Sequence, residues 1–205
     1  YIRDDEDGDY WSVSWQPVGK SFDEAKYKCR HGMSYTVYEC DYKGIHAEQK
    51  LSIPIDDPVE LWDVKIKNNS DKERNLSVFS YLEFSFHHIE MDNKNFQMSM
   101  YASGSSYKDG IIENDLFYEE FGYQYFTANF EADSFDCLRD NFIGSYRTED
   151  NPIAVEKGVC SGSFEKGNNH CGALHKRITL APGEEIRIVF MLGEGKREVG
   201  KGIRE

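Results

Sequence analysis

The densest group of polar side chains lies in residues 86–97, which read FHHIEMDNKNFQ. Two adjacent histidines, an acid pair and three amides interrupt a stretch that otherwise alternates like a β-strand. Imidazoles and neutral amides offer both hydrogen-bond donors and acceptors, which suits the hydroxyl groups of a sugar. The same residue types also satisfy their own backbone in polar loops. The residues alone support a binding wall for a polyhydroxylated ligand and a self-satisfied loop about equally.

Metal-ligating residue types occur in two other places. The string NHCGALHK contains His170, Cys171 and His175, and Cys29 lies close to His31. A structural zinc site usually shows paired ligand motifs with matching second halves, and no such set occurs in this sequence. We therefore interpret these residues as buried cysteines and ordinary hydrogen-bonded histidines, and predict no metal site.

The acidic run at residues 3–11, RDDEDGDYW, has the composition of a calcium loop but not its spacing, because both ends of the signature fail. It predicts a solvated acidic turn. Trp11 and Trp15 lie four residues apart; core packing is the favoured interpretation and a sugar-stacking platform the alternative. The sequence shows no nucleophile motif and no phosphate-binding loop, so it predicts no catalytic residues in this chain.

Composition limits the class of protein. The chain has 205 residues, a net charge of −13 and 39% apolar residues, enough for one globular domain with one sizeable core. The negative charge argues against nucleic acid and anionic membranes as partners. With five cysteines and no apolar leader, the sequence favours a reducing, cytoplasmic location. Because it starts at Tyr1 and not at Met, we expect a piece of a longer polypeptide.

Alternating and β-branched patterns dominate the chain and predict an all-β, antiparallel sandwich. The turn-rich stretches 68–73 and 181–185 are predicted to close hairpins. A possible capping box at Ser21 and Glu24 predicts a short helix over 21–30, and the terminal KREVGKGIRE is expected to begin another. The predicted strands are 34–40, 45–53, 61–68, 76–86, 96–103, 125–131, 177–180 and 186–192.

Several strings of the sequence resemble one known family. They are RDDEDGDYWSVSWQPV, RHGMSY, YLEFSFHHIEMDNKNFQMSMYASG, CLRDNFIGSYRTEDNPIAVEKG and NHCGALHK. They are similar to the N-terminal β-sandwich domain of glycoside hydrolase family 94, the inverting disaccharide phosphorylases formerly grouped as glycosyltransferase family 36. The resemblance implies a large antiparallel supersandwich over 1–195, and the start of a linker at 196–205 toward an (α/α)6 barrel that is not in this chain.

The resemblance also implies a reaction. A β-disaccharide and inorganic phosphate become an α-sugar 1-phosphate and a free sugar, with the general-acid Asp on the barrel and no cofactor. Family members are typically homodimers in which the sandwich of one subunit approaches the active-site mouth of the other. We therefore assign no catalytic residue to this chain, and six residues to the acceptor-sugar side of the partner's site. They are His88, Asp92 and Asn95 as contributors, with His87, Asn93 and Gln97 as supports.

Two alternatives stay open from the sequence. One is a stand-alone carbohydrate-binding module that uses Trp11 and Trp15, which requires both rings to be exposed. The other is a purely structural dimerisation domain. Among the strings that carry the resemblance, Arg139 and Asp140 are interpreted as an internal ion pair. The sequence leaves the identity of the disaccharide open.

Overall fold

The computed structural model describes residues 1–84, 90, 94–95, 100–117 and 122–204. Fourteen strands and three short helices lie entirely within these ranges. The strands are β1 Ile2–Asp4, β2 Tyr10–Trp11, β3 Lys26–His31, β4 Tyr35–Tyr42, β5 Ile45–Ser52, β6 Val59–Asn68, β7 Arg74–Phe79, β8 Leu82–Glu83, β9 Ser103–Lys108, β10 Ile111–Leu116, β11 Tyr123–Ala128, β12 Ser134–Leu138, β13 His170–Leu180 and β14 Glu185–Glu194. The helices are Arg139–Phe142, Ile153–Lys157 and Arg197–Arg204.

The strands form two sheets. One has the order β12-β13-β7-β1-β2, with β8 added to β13, and the other has the order β3-β4-β5-β6-β14-β11-β10-β9. Every strand pair that joins the described elements is antiparallel. The predicted all-β, antiparallel sandwich is therefore confirmed.

The core lies between the two sheets, as the alternation in β6 predicts. Val64 and Ile66 are 6% and 0% exposed, while Lys65 between them stays partly exposed and forms an ion pair with Glu48. A second apolar cluster of buried residues lies under the short helices: Phe79, Phe142, Ile143, Ala154, Val155, Cys160, Cys171 and Ala173. Burial of one face of strands such as β6 thus favours a single register for them in the sheet.

Both predicted hairpins are wrong. Residues 68–73 join β6 to β7, and residues 181–185 join β13 to β14, and in each case the two strands lie in different sheets. The two corners are joined by Asn68, which is fully buried and donates its side-chain N–H groups to the carbonyl oxygens of Lys72 at 2.7 Å and Leu180 at 2.9 Å. The chain does turn at these residues, but the turns connect one sheet to the other and do not close hairpins.

The predicted helix over 21–30 is also wrong. Ser21 does cap a turn, since its Oγ accepts from Asp23 N at 3.3 Å and its carbonyl accepts from Ala25 N at 2.9 Å. The chain then enters β3, which pairs along its whole length with β4. Pairing with a neighbouring strand outweighs the local capping signal.

The terminal helix is confirmed as Arg197–Arg204. It lies against β10 and β11, with Gly200 packed over the ring of Tyr125. A linker starting at residue 196 stays a prediction. None of the helices in the described ranges is both long and apolar enough to cross a membrane.

Candidate functional site

The polar segment 86–97 lies in the chain between β8 of the six-stranded sheet and β9 of the eight-stranded sheet. Its predicted site residues His87, His88, Asp92, Asn93 and Gln97 lie outside the described residues, so their grouping stays a prediction. Asn95 is described and exposed. Close to it, Lys94 forms an ion pair with Glu90 at 3.8 Å, with both side chains about three-quarters exposed (75% and 73%).

The chain leaves the six-stranded sheet at Glu83, which is held by two side chains. Arg139 Nε donates to Glu83 Oε1 at 2.9 Å, and Tyr81 donates its hydroxyl to the same oxygen at 2.7 Å. The Tyr81 ring stacks on Phe142 with 4.8 Å between centroids. Burial, and then the bond to Glu83, raise the pKa of Tyr81, so its hydroxyl stays protonated as the donor. The stretch that precedes the segment is therefore attached to the second apolar cluster.

The predicted ion pair between Arg139 and Asp140 is wrong. The guanidinium of Arg139 binds Glu83 and, through Nη2 at 2.7 Å, Glu149, while Asp140 is its neighbour in the short helix. Adjacent residues on a helix point in different directions, so an ion pair between them is not favoured. The string CLRDNFIG therefore holds Glu83, which lies just before the segment in the chain.

After the segment the chain enters β9, an edge strand of the eight-stranded sheet. Asn168 N donates to the carbonyl of Met100 at 2.9 Å, and Gly167 N donates to that of Ser103 at 2.7 Å. Phe117 N donates to the carbonyl of Ala102 at 2.8 Å. Three backbone bonds from two different loops therefore hold residues 100–103, which follow the segment, at the end of the sandwich where β10 and β11 meet.

A buried polar group lies beside both attachment points. Ser105 on β9 faces Asn114 on β10 in register, and Ser105 Oγ lies 2.8 Å from His170 Nδ1. His170 is the first residue of β13, next to the residue that pairs with Glu83. Asn114 and His170 are 1% and 3% exposed. This group joins the two sheets next to β8 and β9, the strands that flank the segment in the chain.

Part of this polar group is unpartnered among the residues that the structure describes. These atoms are the amide oxygen and nitrogen of Asn114 and the Nε2 of His170, all of them buried. Each such atom costs on the order of 1–3 kcal/mol. Burial lowers the pKa of His170, so the ring is neutral and offers hydrogen bonding without charge. A neutral donor and acceptor set of this kind suits hydroxyl and amide groups better than phosphate.

The sequence indicated His170 but not Asn114 or Ser105. Single polar residues inside a strand pattern carry no signal of their own, and their burial becomes visible only when the two sheets are placed together. His175 is also buried and hydrogen-bonded, with Ser134 Oγ 2.8 Å from Nδ1 and Ser77 Oγ 3.1 Å from Nε2. The interpretation of the histidines in NHCGALHK as hydrogen-bonded is confirmed.

Cys171 is buried, as predicted, and so are Cys40, Cys137 and Cys160, for which the sequence predicts no burial. All four are free thiols, and burial raises the pKa of Cys40 to about 11 and that of Cys137 to about 12. Cys29 is exposed, so the prediction of a buried cysteine is wrong at this position. Within the described ranges, no three or more His, Cys, Asp or Glu residues are arranged to hold a metal ion.

The acidic turn at residues 3–11 is less solvated than predicted. Asp4 is 3% exposed and accepts a hydrogen bond from Arg74 at 2.6 Å. Burial opposes the charge of Asp9, yet Lys20 and Lys43 hold its pKa down at about 2. The carboxylates of Asp4 and Asp9 therefore form ion pairs within the fold.

The two tryptophans do not form a joint platform. Trp11 is fully buried and packs edge-on against Tyr42, with 5.2 Å between ring centroids. Trp15 is 36% exposed and stacks on Phe22. Core packing is confirmed for Trp11, and a carbohydrate-binding module that displays both rings is contradicted.

Comparison with known proteins agrees with the fold. The family described as "Glycosyl hydrolase 94, supersandwich domain" matches residues 1–204. A bacterial glucoamylase complexed with acarbose superposes with a TM-score of 0.54 at 12% identity, covering 90% of this chain and 27% of that protein, which shows likeness of fold alone.

Curated relatives are much longer than this chain. It is 54% identical to an N,N'-diacetylchitobiose phosphorylase of Vibrio proteolyticus over 100% of its own length and 26% of that protein. It is 53% identical to an N,N'-diacetylchitobiose phosphorylase of Vibrio furnissii, covering 96% and 25%, and 33% identical to a solabiose phosphorylase of Paenibacillus borealis, covering 91% and 24%. The chain thus spans about a quarter of these relatives. It belongs to the glycosyl hydrolase 94 family, as a supersandwich domain.

Proposed function

We propose that the full-length protein is an inverting β-disaccharide phosphorylase and that this chain is its non-catalytic sandwich domain. The observation that carries the proposal is family membership together with more than half identity to two N,N'-diacetylchitobiose phosphorylases. On the same ground the proposed substrate is N,N'-diacetylchitobiose. The products are then α-N-acetylglucosamine 1-phosphate and N-acetylglucosamine, with inorganic phosphate as co-substrate and no metal or organic cofactor.

The chemistry belongs to the part of the protein outside this chain. In an inverting mechanism a carboxylic acid protonates the glycosidic oxygen while the nucleophile, here phosphate, attacks the anomeric carbon from the opposite face. A net charge of −13 repels a phosphate dianion, so the sandwich is poorly suited to hold that nucleophile. The cationic phosphate site and the general acid are assigned to the remaining chain.

The sandwich contributes on the acceptor side. His88, Asp92 and Asn95, supported by His87, Asn93 and Gln97, bind hydroxyl groups of the acceptor sugar in the active site of the partner subunit of a cytoplasmic homodimer. Two features support this role. Both ends of the segment are attached to rigid elements through Glu83 and through the carbonyls of residues 100–103. The buried side chains of Ser105, Asn114 and His170, next to the flanking strands β8 and β9, are neutral donors and acceptors, so this end of the sandwich is not a site for an anion.

The reaction is tested with the full-length protein. It is incubated with N,N'-diacetylchitobiose, and separately with cellobiose, with and without phosphate, and the products are identified by phosphorus and proton NMR. The proposal expects phosphate-dependent formation of an α-sugar 1-phosphate, faster with N,N'-diacetylchitobiose. Two free sugars formed at the same rate without phosphate would show a hydrolase and refute it.

The role of the segment is tested by kinetics in the synthetic direction. His88→Ala and Asn95→Ala are expected to raise the KM for the acceptor sugar by about tenfold, the loss of one good hydrogen bond, and to change the KM for the sugar 1-phosphate by less than about twofold. Lys94→Ala is the matched control, because its side chain lies in the same segment and is 75% exposed. Equal losses for both substrates would assign the segment to folding instead.

A further inference from the structure

Cys29, His31 and Thr36 form a group on the surface that the proposed function does not use. Cys29 and His31 lie two residues apart on β3 and therefore on the same face of the strand. Thr36 on β4 is the residue directly opposite His31. Cys29 Sγ lies 3.4 Å from His31 Nε2, and His31 Nδ1 lies 3.0 Å from Thr36 Oγ1. The thiol, the base and the hydroxyl that orients the base therefore lie next to one another in space, in that order.

This order is the one that activates a nucleophile. The thiolate is the reactive form of cysteine, and an imidazole within hydrogen-bond reach can accept the thiol proton. When His31 Nδ1–H donates to Thr36 Oγ1, the lone pair on Nε2 faces Cys29 Sγ, which is the tautomer that a base requires. The hydroxyl of Thr36 therefore holds the ring in a productive orientation.

The surroundings leave His31 as the base next to the thiol. Lys28 and Arg30 alternate with Cys29 along β3 and point to the other face, where both form ion pairs with Glu39. Cys29 and His31 are exposed. The remaining four cysteines, 40, 137, 160 and 171, are 0–6% exposed. Access and activation therefore coincide at one cysteine of the five.

We propose that Cys29 is a modification site, a surface thiol activated by His31 that forms a reversible mixed disulfide with a small-molecule disulfide. The thiol proton moves to His31 Nε2, and the thiolate attacks one sulfur of the disulfide. A new S–S bond joins Cys29 to that sulfur while the S–S bond of the reagent breaks. The second sulfur leaves as a thiolate and takes the proton from His31, so Cys29 is oxidised and half of the reagent is reduced.

The test uses the native full-length protein at about pH 7. Oxidised glutathione is added, modification is followed by intact-mass spectrometry, and the site is mapped by peptide analysis. One glutathione per chain, on Cys29 and removable by reduced glutathione, is the expected result. A native protein that takes up none, or that is modified elsewhere at the same rate while Cys29 stays free, would overturn the proposal.

Variants separate activation from mere exposure. His31→Gln is expected to slow modification by about tenfold or more, since it removes the base, and Thr36→Val by about threefold. Thr36→Ser keeps the hydroxyl and should retain the wild-type rate. His46→Gln, a surface histidine on β5 that contacts Asp41, is the matched control and should leave the rate unchanged. Iodoacetamide is used as a second reagent, and circular dichroism verifies folding. If His31→Gln stays folded and reacts within about twofold of wild type with both reagents, the activation by His31 is refuted.

Discussion

Lowering the pH is expected to destabilise the sandwich through His175. Its ring is 1% exposed and stacks on Phe79 with 4.3 Å between centroids. Ser77 Oγ donates to Asp5 Oδ2 at 2.8 Å, so it accepts from His175 Nε2–H, and Ser134 Oγ then donates to Nδ1. Both ring nitrogens are therefore satisfied in the neutral form, and a proton would place a charge inside the fold.

The magnitude follows from the shift in pKa. Burial lowers the pKa of His175 from 6.5 to about 4. Because the folded-state pKa lies below the unfolded value, the unfolded chain takes up the proton first as the pH falls. The contribution of His175 to stability is thus complete above about pH 6.5 and is lost progressively toward pH 4, at about 1.4 kcal/mol per pH unit. The full loss is on the order of 3 kcal/mol.

The assay is urea unfolding of the 205-residue chain at about pH 7, 6 and 5, with His175→Gln as the variant that cannot titrate. Carboxylates titrate in both proteins and cancel in the comparison, so the wild type should lose its advantage over the variant by about 1.4 kcal/mol for each unit below pH 6.5. His46→Gln is the control, because it removes an imidazole at the surface and leaves the contribution of His175 in place. A difference between wild type and His175→Gln that stays constant from pH 7 to 5 would refute the reasoning.

Two further predictions concern packing. Asp4 and Arg74 form an ion pair at 2.6 Å, and both side chains are 4% exposed. Asp4→Asn should therefore lower the free energy of unfolding by about 3–5 kcal/mol, and the double variant Asp4→Leu/Arg74→Met should lower it by less. A double variant as unstable as the sum of the single variants would contradict this. A Cβ on Gly200 would lie 2.9 Å from the Tyr125 ring, whereas one on Gly202 meets nothing within 4 Å. In thermal unfolding Gly200→Ala should lose about 1–3 kcal/mol and Gly202→Ala gain up to about 1 kcal/mol, and equal effects would argue against docking of the terminal helix.

The strands that the sequence predicts well are those that bury one face. Trp62, Val64 and Ile66 alternate with charged residues, and their strand forms as β6. The failures have a common cause, which is strand pairing that the local residue pattern does not encode. Ser21 makes the local bond that its capping pattern indicates, yet the following residues pair with β4. Likewise, turn residues indicate that the chain reverses, but they do not encode which sheet the next strand joins.

The candidate site, too, can be predicted only in part from the sequence. The polar density of residues 86–97 is visible in the sequence because strands do not need it. The buried polar group of Ser105, Asn114 and His170 is not visible in the sequence, since Asn114 and Ser105 look like ordinary strand residues until β9, β10 and β13 are brought together. The sequence shows Cys29 and His31 as a close pair, but their joint exposure and the role of Thr36 depend on the register between β3 and β4.

The central proposal is that the segment of one subunit completes the acceptor site of the other, and hybrid dimers test it most directly. Full-length subunits that carry His88→Ala and Asn95→Ala are mixed with full-length subunits whose general acid, outside this chain, has been replaced. Each parent is weakly active at low acceptor concentration. If the segment acts on the partner, re-assorted dimers contain one intact site and recover about a quarter of wild-type activity. Hybrid dimers that form, as shown by native mass spectrometry, and recover no activity would contradict the proposal.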